Sequence, residues 1–267
     1  MRKCLLRSIA LLTGALVLSN LGYAQTYEGP GGQTRDRRGV PPANPATANL
    51  PYDPHDLTGV WMGLQNRNTL SRTPPPMTPW AQARYNAAKP GIGPRAQPLG
   101  NDPIMTCDPI GYPRLAFYND YPMEMVATKD RLIEFFDFFY VHRTIWMDGR
   151  ELPKDPEPTW YGYSVGHWDG NTLVVNVTGF NDQSWLDNDG HPHSDQMKLE
   201  ERFTRVDHDT MQSKMTLTDP AAYTTPWMSD IEVWKLSPKQ TMREDLCAPS
   251  DEAKYKDEVR DPAAAKK

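Results

Sequence analysis

The feature that most constrains the fold of this chain is a tight-turn sequence, Asp169-Gly170-Asn171, between two runs of strand-forming residues. Asp and Gly both tolerate a positive φ, which two-residue hairpin turns require. The run that follows the turn is rich in β-branched residues and poor in helix formers. The sequence therefore predicts a β-hairpin with strands over 161–167 and 172–178.

Polar and apolar residues alternate with a period of two in the strands predicted after this hairpin. Leu199, Glu201 and Phe203 fall on one face of a strand. In the next strand, every second residue from Met211 to Asp219 shares a face. The alternation therefore predicts that Glu201 and Asp219 point inward with the apolar side chains.

Three further strand-like runs precede the hairpin, over 123–128, 131–138 and 140–147. The second of these contains Glu134 and Asp137 among aromatic residues. Aromatic residues in strands are mostly core, and a carboxylate among them must be paired or must lose its charge. We therefore expect each of these acids, if it faces the interior, to be paired or to lose its charge.

Eight or more strands in sequential hairpins, few helices and no βαβ alternation predict an all-β fold. The 26 prolines and 18 glycines are typical of many turns. We expect an antiparallel β-barrel with one or two short surface helices, because closure removes sheet edges and about eight strands leave room for a small ligand. One helix is predicted to start at Thr78-Pro79, a capping residue followed by proline. The sequence Gly59-Val60-Trp61 resembles the opening strand of lipocalin-type (calycin-like) barrels, which implies that the tryptophan closes one end of the barrel.

Composition divides the chain into four segments. We predict a signal peptide over 1–24, a Pro/Gly-rich arm over 25–55, a single β-barrel domain over 56–248 and a charged C-terminal tail over 249–267. The tail is expected to contain a short helix.

The signal peptide is predicted from basic residues that precede an apolar run, Ile9 to Leu18, too short to span a bilayer. Small residues in Gly22-Tyr23-Ala24 then indicate cleavage before Gln25. The mature chain is therefore expected to be exported, either to the periplasm or outside the cell. An N-terminal membrane anchor is the alternative.

Removal of the signal peptide leaves two cysteines, Cys107 and Cys247. An even number of cysteines in an oxidising compartment predicts a disulfide. A metal site or a catalytic thiol is the alternative, although neither cysteine has a histidine or a second cysteine within a few positions.

The charge and the hydropathy of the chain restrict its partners. A formal net charge of -5 without basic clusters argues against nucleic acid. No segment after residue 24 is long and apolar enough to cross a membrane. We expect a small-molecule ligand or substrate and no cofactor.

A series of motifs extends along the predicted barrel domain: Cys107–Arg114, Asp148-Gly149-Arg150, Gly162–Val175, Gly190–Asp195, Glu201-Arg202, Asp219-Pro220 and Pro226-Trp227. Together these motifs resemble those of a large family of exported proteins from soil and aquatic bacteria. The likeness covers about Leu57 to Cys247 and implies export without implying a reaction. The chain departs from the family pattern in two places: it has Trp168-Asp169-Gly170-Asn171 instead of Trp-Glu-Gly-Asp, and Gly162-Tyr163-Ser164 instead of Gly-His-Ser.

His193 is the leading candidate for catalysis because it lies in a polar loop and imidazole transfers protons near neutral pH. Glu201 or Asp219 would be its partner carboxylate, and Arg150 would stabilise negative charge. Alternatively, His193 only caps the loop by hydrogen bonding.

Other polar and aromatic residues are candidates for substrate binding. Guanidinium groups bind anionic or hydroxyl-rich ligands, and flat aromatic side chains suit sugar or aromatic rings. For each of these residues a role in a turn, an ion pair or the core is the alternative. The candidates are Arg143, Trp146, Asp148, Tyr163, Trp168, His191 and Asp195.

A metal site is the alternative interpretation of the two histidines. His191 and His193 could project to the same side of an extended chain and bind a metal with Glu201 or Asp195. The spacing is loose, so we predict no metal.

Two functions are compatible with the sequence. The first is an exported β-barrel enzyme, of lyase or hydrolase type, that acts on a small sugar-like or aromatic compound by proton transfer. The alternative is a non-catalytic barrel of the periplasm that binds a small molecule. Convergence of His193, Glu201, Asp219 and Arg150 in one pocket would favour the enzyme, and their scatter around the outside of the barrel would argue against it.

Overall fold

The structure is a computed structural model that describes residues 46–47, 49–64, 67, 69–97, 99–118 and 120–262. The predicted signal peptide, most of the Pro/Gly-rich arm and the last five residues of the tail lie outside these residues. Within the described ranges, no helix is both long enough and apolar enough to cross a membrane.

The described part of the chain consists mainly of strands, with two short helices. The helices are α1 (Pro79–Ala87) and α2 (Pro249–Tyr255), and α2 continues as a π-helical turn over Lys256–Arg260. The strands are β1 (Gly59–Gly63), β2 (Met123–Ala127), β3 (Arg131–Phe136), β4 (Val141–Trp146), β5 (Tyr163–Asp169), β6 (Thr172–Thr178), β7 (Lys198–Asp207), β8 (Thr210–Thr218), β9 (Trp227–Met228) and β10 (Glu232–Leu236).

The strands close into a barrel, which confirms the predicted fold class. Strands β1 to β8 pair in chain order, and β10 pairs with both β1 and β8, so that nine strands form a ring. The short strand β9 pairs with β8 outside this ring.

One pair of strands differs from the expected antiparallel arrangement, because β4 and β5 are parallel. In a closed ring with an odd number of strands the directions cannot alternate all the way round, so at least one pair must be parallel. A parallel pair also needs a long connection. The chain supplies it as the segment 147–162 between β4 and β5.

The predicted hairpin is formed by β5 and β6. Asp169 pairs with Thr172 across the turn, and Gly170 has a φ of 57°. The alternation predicted downstream is also confirmed, because Leu199, Glu201 and Phe203 on β7 are all buried. The tertiary structure therefore directs a carboxylate into the barrel interior.

The segment Ile110–Phe117, called here the interior segment, packs against inner-face residues of the barrel. All of its residues are buried. Ala116 and Phe117 line a small cavity together with Met215 of β8 and Trp234 of β10. The cavity volume is about 10 Å³, which is the space of a single water molecule. The interior segment thus packs beside the buried faces of β8 and β10.

The predicted helix start and disulfide are both present. Thr78 caps α1 by accepting a hydrogen bond from the Ala81 amide, with proline in the first turn. Cys107 and Cys247 form the disulfide, which joins the chain just before the interior segment to the chain just before α2. The short helix expected in the tail is α2.

The tryptophan of the Gly-x-Trp sequence lies in the core. Trp61 is fully buried, and its indole N–H donates to the Leu57 carbonyl at 2.9 Å. The Arg205 guanidinium lies 5.6 Å from the ring centroid. Core packing accounts for this residue, and membership of the lipocalin group stays a prediction.

Candidate functional site

The candidate site residues fall into two buried polar networks and several surface clusters. The interior network comprises Glu134, Arg143 and Glu201 of the barrel and Tyr112 of the interior segment. The loop network comprises Ser184, His193, Ser194 and Asp219.

Arg143 bridges two carboxylates in the interior network. It lies directly opposite Glu134 in the β3–β4 pair, and its Nε donates to Glu134 Oε2 at 2.5 Å. Its Nη1 and Nη2 donate to Glu201 Oε1 and Oε2 at 2.7 and 2.9 Å. Because the alternation of β4 and β7 directs both side chains inward, the guanidinium reaches a strand three places away in the sheet.

Tyr112 completes the interior network. Its hydroxyl donates to Glu201 Oε2, and the Arg143 guanidinium lies 3.9 Å from its ring centroid. Burial raises the pKa of Tyr112 well above the ordinary value, so the phenol stays neutral and acts as a donor. Sequence reasoning did not select Tyr112, and its one signal was its position in the Cys107–Arg114 motif.

Burial and neighbouring charges change the pKa values of Glu134 and Arg143 in the interior network. Burial raises the pKa of Glu134, and the nearby Arg143 only partly offsets this. For Arg143, burial works to lower the pKa, but Glu134 and Glu201 outweigh it and hold the pKa well above the ordinary value. The guanidinium is therefore charged, and two acids compete for it.

His193 in the loop network is held as a neutral imidazole. Its Nδ1 lies 3.3 Å from the Ser194 carbonyl oxygen, and its Nε2 lies 3.0 Å from Ser184 Oγ. A carbonyl only accepts, so Nδ1 carries the hydrogen and Nε2 accepts from the Ser184 hydroxyl. Burial lowers the pKa of His193, which keeps Nε2 unprotonated and able to accept a hydrogen bond.

Asp219 was predicted as a possible partner carboxylate of His193, but among the described residues it forms no hydrogen bond with the imidazole. Its carboxylate instead accepts from the Ser194 amide at 2.6 Å and from the Ser194 hydroxyl at 2.7 Å. Since the Ser194 carbonyl orients His193, Asp219 is a positioning residue for the imidazole.

Ser184 was missed by sequence reasoning because it lies nine residues before His193 and is brought to it only by the fold of the loop. It packs against Gly111, where a Cβ would lie 2.1 Å from Ser184 Oγ. Gly111 also has a φ of 75°, a conformation that favours glycine. The two networks therefore meet at neighbouring residues, since Gly111 packs on Ser184 and Tyr112 binds Glu201.

His191 belongs to a separate pair. Its Nδ1 lies 2.6 Å from Asp187 Oδ2, and its ring stacks on Tyr85 with a centroid separation of 4.5 Å. Asp195 is exposed. In the part of the chain that the structure describes, no three His, Cys, Asp or Glu side chains are grouped as metal ligands.

Arg150 lies on the surface, apart from both networks. It forms an ion pair with Asp148, donates to the Tyr163 hydroxyl at 3.0 Å and stacks 3.6 Å above the Trp146 ring centroid. The hydrogen bonds from Arg150 lower the pKa of Asp148 to about 2. Trp168 lies in another surface cluster, stacked on His55.

The four predicted catalytic residues are thus distributed over three places. His193 and Asp219 lie in the loop network, Glu201 lies in the interior network, and Arg150 lies on the surface. In the loop network, the neutral imidazole of His193 lies beside the Ser184 hydroxyl. In the interior network, the carboxyl groups of Glu134 and Glu201 share the Arg143 guanidinium. Comparisons of the chain with protein-family models, curated proteins and solved structures find no match.

Proposed function

We propose that this protein is an exported β-barrel enzyme that transfers protons to or from a small sugar-like or aromatic compound. The observation that carries the proposal is the hydrogen-bonded arrangement of Ser184, His193 and the Ser194 carbonyl. This arrangement has the geometry of a hydroxyl, a base and a group that orients the base.

The loop network supports two reaction types. In a hydrolase, His193 Nε2 takes the Ser184 proton while Ser184 Oγ attacks an electrophilic carbon of the substrate, the bond from that carbon to the leaving group breaks, and the leaving group departs with the proton from Nε2; water then hydrolyses the covalent intermediate. In a lyase, a C–H group of the substrate takes the place of the Ser184 hydroxyl, Nε2 removes its proton, the electron pair forms a double bond to the neighbouring carbon, and the bond from that carbon to the leaving group breaks. In both, the imidazole must be neutral at the start, which its burial favours.

The other predicted catalytic residues take different parts in this proposal. Asp219 acts through Ser194 rather than on the substrate. Glu201 and Arg150 make no hydrogen bond to the loop network in the described residues, so we assign them no part in the proton transfer by His193. The surface group of Arg150, Trp146 and Tyr163 remains a candidate for holding a hydroxyl-rich ligand.

Export is supported by two observations. The first is the signal-like segment 1–24, and the second is the Cys107–Cys247 disulfide, since disulfides persist in oxidising compartments. N-terminal sequencing of protein recovered from the periplasm or the medium should begin at Gln25. A mature chain that retains Met1 would contradict cleavage.

The enzyme hypothesis is tested by assaying the purified protein against glycosides and lignin-type aromatic compounds. We expect turnover that falls by about 10²- to 10⁴-fold in His193→Ala, the range that general acid–base catalysis contributes. The matched control is His167→Ala, because His167 is exposed on β5. Turnover that survives His193→Ala would exclude the role of His193, and binding without turnover would favour the non-catalytic barrel.

A further inference from the structure

The interior network contains more acid than base. Four groups face one another there: Glu134 from β3, Arg143 from β4, Glu201 from β7 and Tyr112 from the interior segment. Glu134 and Glu201 have no measurable exposure, and Arg143 is 5% exposed. With both acids ionised, the network would carry one uncompensated negative charge out of contact with water, which is strongly unfavourable.

The two acids of the interior network receive different numbers of hydrogen bonds. Glu201 receives three of them, two from the Arg143 guanidinium and one from the Tyr112 hydroxyl. Glu134 receives one, from Arg143 to Oε2, and its buried Oε1 has no hydrogen-bond partner among the described residues. Because donated hydrogen bonds stabilise the anion, the negative charge belongs on Glu201.

We propose that the barrel interior is a proton-binding site, in which Glu134 carries a proton on Oε1 at neutral pH while Glu201 and Arg143 stay charged. The network is then neutral overall. The proton lies on Oε1 because Oε2 already accepts from Arg143. The protonated Oε1 is then a hydrogen-bond donor, for which a neutral oxygen such as that of a water molecule is a suitable acceptor.

This site is distinct from the loop network and does not depend on the proposed enzyme activity. A protonated Glu134 also explains how an acidic residue can lie among aromatic residues on β3. An ionised Glu134 would need a second cation in the interior network. Burial, which raises the pKa of Glu134, acts in the same direction as the hydrogen-bond geometry.

The proposal is tested in the full chain by NMR with glutamate labelled with ¹³C at the side-chain carboxyl. At pH about 7, an ordinary glutamate with a pKa near 4.3 is ionised. We expect one carboxyl resonance that remains in the protonated form at this pH and is absent in Glu134→Gln. If every glutamate of the wild-type protein is ionised at pH 7, the proposal is wrong, whether or not any variant folds.

A second variant separates the two acids. In Glu201→Gln the Arg143 guanidinium loses the Glu201 carboxylate as its counter-ion. We therefore expect Glu134 to become ionised, so that the resonance of its protonated carboxyl disappears. The matched control is Glu200→Gln, on the outer face of β7, which should leave that resonance unchanged. A protonated Glu134 that persists in Glu201→Gln would contradict the sharing of Arg143.

Stability against pH provides an independent measurement. A folded state that holds an extra proton loses stability as the pH rises from the unfolded pKa, about 4.3, to the folded pKa. The folding equilibrium constant of the wild type should therefore fall by up to about tenfold per pH unit relative to Glu134→Gln over this window. Parallel pH profiles for the two proteins would overturn the proposal.

Discussion

The interior network and the loop network are both buried and polar, but they are stabilised in different ways. The interior network is ionic and combines residues from three strands with Tyr112 of the interior segment. The loop network centres on a neutral imidazole, and three of its four members lie between residues 184 and 194. Removing a charge from the interior network should therefore lower the free energy of unfolding strongly. Removing a hydrogen bond from the loop network should lower it less.

The largest effect should come from Arg143→Met. This change leaves two buried acids without their shared cation, and removing one partner of a buried ion pair costs about 3–5 kcal/mol. Denaturant-induced unfolding of the wild-type and variant proteins measures the difference in the free energy of unfolding.

Arg202→Met is the matched control for Arg143→Met. Arg202 lies on the outer face of β7 and forms surface ion pairs with Asp169 and Glu200. A loss of less than about 1 kcal/mol is expected for such exposed pairs. Equal losses for the two arginine variants would show that the interior network is not a special source of stability.

A smaller effect is expected from Asp219→Asn in the loop network. The amide replaces one oxygen that accepts a hydrogen bond from Ser194, and hydrogen bonds to a charged group contribute about 1.5–3 kcal/mol. The free energy of unfolding should fall by that amount. The exposed Asp195→Asn is the control and should change it by less than about 0.5 kcal/mol. If Asp219→Asn leaves the free energy of unfolding unchanged, Asp219 does not have the positioning role assigned to it.

The smallest effect, and the sharpest contrast, concerns pH. The lowered pKa of His193 means that the unfolded chain takes up a proton below about pH 6.5 while the folded chain resists it. The contribution of His193 to stability should therefore fall as the pH falls from about 6.5 toward the folded pKa, by up to about 1.4 kcal/mol per unit. Glu134 acts in the opposite direction, because its raised pKa destabilises the fold as the pH rises.

His193→Gln, studied by denaturant unfolding at a series of pH values, tests this contrast. Relative to the wild type, the variant should lose the His193 contribution, so that below about pH 6.5 its stability falls more steeply with rising pH, because the decline that Glu134 causes above about pH 4.3 is no longer offset. An unchanged acid-side slope would show that His193 takes up its proton equally well in the folded and unfolded chains.

Several features of this protein were predictable, most of them because they depend on neighbouring residues. The Asp169-Gly170 turn, the Thr78 cap of α1 and the inward direction of Glu201 follow from local backbone preferences and the strand period. The sequence also predicted that Glu134, among aromatic residues, must be paired or lose its charge. The Cys107–Cys247 pairing followed from there being two cysteines in the predicted mature chain.

The sequence by itself determined the strands, the turn and which residues face inward, because these depend on residues a few positions apart. Only the tertiary structure decided that Arg143 serves both Glu134 and Glu201, that Tyr112 enters the barrel and that Ser184 meets His193. It also decided the parallel pairing of β4 and β5, since the number of strands in a ring is set by closure. These contacts join residues that are distant in sequence, and their partners are selected by the geometry of the closed barrel and by the need to balance buried charge.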